Sequence, residues 1–298
     1  MRRPLVLLLA LLAPAAADAQ NRAALELELD SLRRDLRIPA MSAAVVEAGT
    51  LVWVRHFGLE AAPGAPVRYP IGSLTESFAA ALALRLVERG RLSLDAPVEG
   101  AGRRVLVRHV LSHTSAGAPG ERFVYSNELY RRLDAPLAMA AGTTVGAALS
   151  AEVLKPLGLR QTVAGPGVTS SSGLDSTAED VARFAAGLER GTLLPSTSVA
   201  EMFRAPRLPG GRPLPHALGW FVQQIGGEHV RWHFGQQADA SALLVNLPRR
   251  RLTFVLLART DRLTAPFWHQ FGDLRWSPAA AAFLTRWARV RLDLAAGG

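Results

Sequence analysis

Three short stretches of this 298-residue chain bring together residue types that can do chemistry: Ser73-x-x-Glu76, Tyr125-Ser126-Asn127 and His233-x-Gly235. Ser73 stands just before an apolar run, with Glu76 three residues on. That spacing suits a capping box, in which the serine accepts from the helix backbone and the glutamate reaches back. It also suits a nucleophile. A serine hydroxyl attacks well only when a neighbour removes its proton, and residues three apart on a helix lie about 60° apart around the axis and ~4.5 Å along it. Read alone, Tyr125 suits a half-buried aromatic with its hydroxyl satisfied, and His233, after Trp232, suits a core histidine.

The elements that must position these residues can be read from periodicity. Residues 21–36 alternate charge and leucine at helical spacing. Two strands follow around the turn Glu47-Ala48-Gly49-Thr50. From Leu74 to Arg89 the pattern is helical and apolar on nearly every side, as in a buried helix. Its N-terminus presents free N–H groups and a positive dipole end, which favours negative charge. A mostly helical block continues to about residue 200. The runs "LGWFVQQI", "VRWHFG", "ALLVNL" and "LTFVLLA" read as strands, and a last helix is capped by Ser277 with Pro278 behind it. The fold class expected is α+β: an antiparallel sheet built from both ends of the chain, flanked by terminal helices, with a helical lobe over about 74–200 inserted in it.

Composition narrows the chemistry. With no cysteine, thiol nucleophiles, disulfides and Cys-based metal sites are excluded. The histidines show no metal-ligand spacing and no glycine loop cradles phosphate, so no metal, nucleotide or other cofactor is expected. Residues 1–19 read as a secretory signal: Arg2 and Arg3, the apolar run Leu5 to Leu12, then Ala17-Asp18-Ala19. Residues 20–298 then form one exported domain with no membrane span, periplasmic or extracellular. Cleavage leaves 32 basic and 24 acidic residues, a charge of +8. From Glu201 onward 13 Arg stand against 6 Asp plus Glu. This surface suits weak contact with an anionic envelope polymer, although a solvated arginine-rich surface explains it as well. No nucleic-acid motif is present.

In order and spacing the three motifs resemble those of the serine β-lactamase and penicillin-binding protein superfamily, nearest its class C-like branch of D-alanyl-D-alanine peptidases and esterases, whose pattern is S-x-x-K, Y-x-N, K/H-x-G. "RHVLSHTSAG", "LKPLGLRQT", "GLDSTAEDVARF" and "LGW" support it, and the resemblance spans roughly 22–290. It implies that Ser73 is the acylated nucleophile and that Tyr125 shuttles its proton. Asn127 would bind the substrate amide, His233 would line the pocket, and Gly235 would admit substrate backbone. The N–H groups of Ser73 and Gln236 would form the oxyanion hole. The substrate would be a small molecule or peptide with an acyl ester or amide bond.

The departure from the family is Glu76, where the pattern has lysine. The only lysine in the chain, Lys155, sits in the "LKPLGL" turn. A carboxylate beside Tyr125 raises the phenol pKa, and a helix N-terminus keeps the carboxylate ionised, hence a weak base. Two readings stand together: a weakly active serine hydrolase with Glu76 as catalytic base, or an impaired homologue that binds an envelope peptide, glycan or acyl ligand without turnover. In the second, Glu76 serves as a cap. His113 reads as a turn residue rather than a base.

Overall fold

A computed structural model describes residues 5–58, 66–100, 104–208, 210–267 and 269–292; the side chains of residues 5–19 also fall outside the description, and with them most of the leader reading. The strands are β1 (Ala40–Glu47), β2 (Thr50–Gly58), β3 (Tyr69–Pro70), β4 (Val163–Ala164), β5 (Leu174–Ser176), β6 (Phe221–Ile225), β7 (Glu228–Gln237), β8 (Ala240–Leu247) and β9 (Leu252–Ala258). The helices are α1 (Leu5–Asp35), α2 (Thr75–Glu88), α3 (Val107–Leu111), α4 (Asn127–Tyr130), α5 (Asp134–Ala141), α6 (Val145–Leu149), α7 (Ala178–Glu189), α8 (Ser196–Met202) and α9 (Pro278–Ala282).

Six strands form one antiparallel sheet in the order β2-β1-β9-β8-β7-β6, so strands from the two ends of the chain meet at β1 and β9. The hairpin between β1 and β2 closes through Ala48 and Gly49, both at positive φ, as a tight two-residue turn requires. β1 and β9 are mostly apolar and buried along nearly their whole length because both faces of the sheet are covered there. One face packs on the terminal helices, where Leu25 and Leu29 of α1 join Phe254 and Phe283. Ser277 caps α9 by accepting from the Ala280 N–H, with Pro278 as the first helical residue. The other face carries the helical lobe. There α2 is buried almost throughout, and Phe78 stacks on Phe184 of α7 with ring centres 3.8 Å apart. This is the α+β architecture expected from the sequence.

Among the described residues no single helix is long and apolar enough to cross a membrane. The short sheet β3-β5-β4 fixes the chain just before Ser73, since Ile71 N–H donates to Leu174 O at 3.0 Å.

Candidate active site

Ser73 lies in a single 3-10 turn, Gly72–Leu74, that runs into α2. This turn is pressed against β7. A Cβ on Gly235 would come within 1.8 Å of the Ile71 carbonyl oxygen, and one on Gly72, at φ +51°, within 2.8 Å of the Gln236 nitrogen. No side chain fits between them, so both glycines are set by backbone packing. Gly235 therefore lets the Ser73 turn seat against β7. The same contact brings the Gln236 amide to the residue preceding Ser73, while the Gln236 side chain is exposed and does not fill the site.

Asn127, at the start of α4, donates from Nδ2 to Ser73 Oγ at 2.8 Å. Ser126 caps that helix by accepting from Leu129 N–H, in the segment whose Asn127 reaches Ser73. Tyr125 is half-buried with its hydroxyl enclosed. That hydroxyl has no aligned hydrogen-bond partner, yet Ser73 and Glu76 both lie close enough to bear on its ionisation. Burial, reinforced by the Glu76 charge, holds the Tyr125 phenol well above its usual range. The residue is thus a neutral hydroxyl at neutral pH.

Glu76 caps nothing. Neither the 3-10 turn nor α2 has a side-chain cap, so the capping-box reading of Ser73 and Glu76 does not describe this structure. Ser73 is drawn to Asn127, and the Glu76 carboxylate turns inward to imidazoles. His113 Nε2 lies 2.9 Å from Glu76 Oε2, and His233 Nε2 lies 3.2 Å from the same oxygen. Glu76 is fully buried. Burial pushes its pKa up to about 7, against the opposing pull of His233 and Tyr125. This corrects the expectation that the helix dipole makes it a weaker base than an ordinary glutamate. Desolvation of the charge outweighs the dipole at a site closed to water.

The three histidines around this carboxylate come from separate segments. Loop 216–219 brings His216, held to α2 where Ser77 Oγ donates to Gly219 O at 2.8 Å. His113 sits at φ +53°, an uncommon left-handed conformation for a residue with a side chain. Its Nδ1 accepts from Ser126 N–H at 3.3 Å, which leaves Nε2–H to donate to Glu76. His113 is therefore both the turn residue expected and a direct partner of Glu76. His233 and His216 have the opposite arrangement. Each Nδ1–H donates to a backbone carbonyl at 2.7 Å, of Phe234 and Ala217 respectively.

His233 Nε2 and Glu76 Oε2 lie 3.2 Å apart without an aligned hydrogen bond. Glu76 Oε1 and His216 Nε2 also have no partner among the described residues. Burial lowers His113 to a pKa of about 3 and His216 well below the usual range, so both are neutral at neutral pH.

Glu76, His113 and His216 each offer a ligand atom within 4.8 Å of one another, a juxtaposition that sequence spacing did not reveal. The Ser126 N–H on His113 Nδ1 turns a proton, not a lone pair, toward the carboxylate. The three form a cage around the carboxylate in which only Glu76 and His113 are bonded to each other, and His216 Nε2 has no partner among the described residues. Lys155 is exposed and plays no part in it.

Taken together, the structure gathers Ser73, Glu76, Tyr125, Asn127, His233, Gly235 and the Gln236 backbone at one place. It adds His113 and His216, which sequence reasoning did not assign there.

Comparisons with known proteins bear on the family and the fold. The family model described as "Beta-lactamase" matches residues 25–267. The esterase EstB of Burkholderia gladioli is 31% identical over 175 residues, a match spanning 46% of this chain and 45% of that enzyme, less than half the relative's length. Among solved structures, a D-amino acid amidase from Ochrobactrum anthropi superposes with a TM-score of 0.75 at 17% identity, covering 91% of this chain and 99% of that one. An octameric penicillin-binding protein homologue from Pyrococcus abyssi gives 0.74 at 20% identity, covering 87% and 76%. A beta-lactamase from Mycobacterium bovis gives 0.67 at 26% identity, covering 83% and 95%.

Proposed function

This chain belongs to the beta-lactamase family, and from that premise we propose that it is a serine hydrolase that cleaves an acyl ester or amide through an acyl-Ser73 intermediate, with Glu76 as the proton acceptor where the family pattern has lysine. One observation carries the reading. Glu76 is fully buried beside the nucleophile, with its carboxylate turned to His113 and His233 and not spent on a helix cap. A carboxylate with a pKa of about 7 is matched to general-base work near neutrality.

The steps balance as follows. Ser73 Oγ attacks the substrate carbonyl while its proton passes to Glu76, with the neutral Tyr125 hydroxyl relaying it: Tyr125 takes the Ser73 proton as it gives its own to the carboxylate. The oxyanion is stabilised by the N–H groups of Ser73 and Gln236. Collapse breaks the bond to the alcohol or amine, which leaves with the proton returned from Glu76. Water then attacks the acyl-Ser73 by the same route, Glu76 again taking the proton, and collapse releases the acid as Glu76 returns that proton to the departing Ser73 Oγ through Tyr125.

A second reading, an impaired homologue that binds an acyl, peptide or glycan ligand without turnover, is favoured by a different observation. Ser73 is only 3% exposed, and Asn127, the residue expected to hold substrate, is bonded to Ser73 itself. Intact mass after incubation with a fluorophosphonate and, separately, a penicillin decides between them. An adduct on the wild type and none on Ser73→Ala supports the hydrolase. An adduct only on Glu76→Lys supports the binder. Export, proposed from the leader-like residues 1–19, is tested by finding the processed chain starting near Gln20 outside the cytoplasm.

A further inference from the structure

Beyond the Ser73 site, a groove of about 1000 Å³ runs along the end of β6 and β7 that lies away from Gly235. None of the residues assigned above to catalysis or to the Glu76 cage lines it. Four arginines do: Arg204, Arg207, Arg231 and Arg249, with no Asp or Glu among the lining residues. Between them lie Phe203, Leu214, Pro215 and Val222, an apolar bed.

Arg231 is the informative member. It sits on β7, paired with Val222 of β6 and Asn246 of β8, and its guanidinium carbon lies 3.8 Å from the centre of the Phe203 ring. The stacked guanidinium is half-buried and makes no hydrogen bond or ion pair among the described residues. The charges near it are accounted for. Glu189 is the one carboxylate that acts on it, stands beyond ion-pair distance, and accepts from Asn246 Nδ2 at 2.5 Å. Arg204 is paired with Glu201, and Arg207 donates to Gly211 O. Arg249 is exposed and without a partner among the described residues.

A planar cation held by stacking, partly stripped of water and left with its donor fork free is organised for an oxyanion. We propose that this groove is a second binding site, for an amphiphilic anion: a carboxylate or phosphate head on Arg231, with Arg249 at the rim, and an apolar body along Phe203, Leu214 and Val222. The site does not depend on whether Ser73 is acylated.

The test is isothermal titration of the full mature chain with octanoate, octyl phosphate and n-octanol, at low and high potassium chloride. Both anions are expected to bind, more weakly at high salt, and octanol not measurably. Arg231→Met should lower the affinity for the anions tenfold or more, and Arg249→Ala a few-fold. Arg231→Lys keeps the charge without the fork, gives an intermediate loss, and serves if Arg231→Met fails to fold, as judged by its melting curve. Tighter binding of octyl phosphate identifies a phosphate head, and tighter binding of octanoate a carboxylate head. Binding of octanol equal to the anions, unchanged affinity in the folded Arg231 variants, or no binding of either anion overturns the proposal.

Discussion

Two carboxylates are buried near the first turns of two helices, and the protein treats them in opposite ways. Asp180, near the start of α7, is saturated. Its Oδ2 accepts from Gln161 N–H at 2.7 Å and from Thr162 Oγ1 at 3.1 Å, and its Oδ1 from Arg183 at 3.0 Å. Glu76, at the start of α2, has one donating partner in His113, an unaligned imidazole nitrogen of His233 at 3.2 Å, and an Oε1 with no partner among the described residues. The first pattern is what a structural carboxylate needs, since a buried charge without partners costs several kcal/mol. The second leaves room for a proton to come and go. The contrast separates a group that holds the fold together from one that the fold holds ready.

The comparison can be broken most sharply at Glu76. Glu76→Gln keeps the shape and removes the proton acceptor. The rate of fluorophosphonate adduct formation should fall about 10²–10⁴-fold, the usual worth of a general base. In the wild type that rate should rise about tenfold per pH unit up to a pH near 7 and then level off, as the carboxylate ionises. A flat profile between pH 5 and 8 sinks the assignment.

Asp180→Ala should leave the adduct rate of the folded protein unchanged but cost roughly 2–4 kcal/mol in urea unfolding, because the Gln161 N–H and the Thr162 hydroxyl lose their acceptor.

A smaller effect has the opposite sign. The folded pKa of Glu76 is raised from 4.5 to about 7, so its contribution to stability is intact below pH 4.5 and lost as pH rises to 7. Above pH 7 this loss is roughly 3 kcal/mol at most. Glu76→Gln should therefore be more stable than the wild type at pH 8, with the gap closing toward pH 4.5. A less stable variant at pH 8 contradicts the raised pKa. Smallest of all, Arg183→Met should cost under about 1 kcal/mol, since that arginine is 47% exposed and water replaces it.

The sheet was readable because its signal is local. "ALLVNL" and "LTFVLLA" are apolar runs bounded by turn residues, and β8 and β9 form there. The order Ser73, Tyr125, Asn127, His233, Gly235 was readable as a motif. The state of Glu76 was not. Its sequence neighbours satisfy the capping-box pattern, and only tertiary placement shows that Asn127 takes Ser73 and that imidazoles take Glu76. His113, His216 and His233 are far apart in sequence, so no spacing rule joins them. The expected effect of the dipole left out desolvation, which dominates because the first turn of α2 is enclosed. The packing role of Gly235 was equally hidden, because it depends on which backbone lies across the strand.

The meeting of β1 with β9 has a consequence for the order of assembly. A chain emerging N-terminus first offers the β1–β2 hairpin early, but the inner edge of β1 has no neighbour until β9 has been made. The turn that carries Ser73 is clamped against β7, which also comes late. Pairings between such distant segments must meet their loop-closure cost before they are rewarded. Ser73 therefore acquires its setting only when nearly the whole polypeptide has been synthesised. A chain interrupted before β9 would carry every residue gathered around Ser73 and Glu76 and still lack the sheet that seats them.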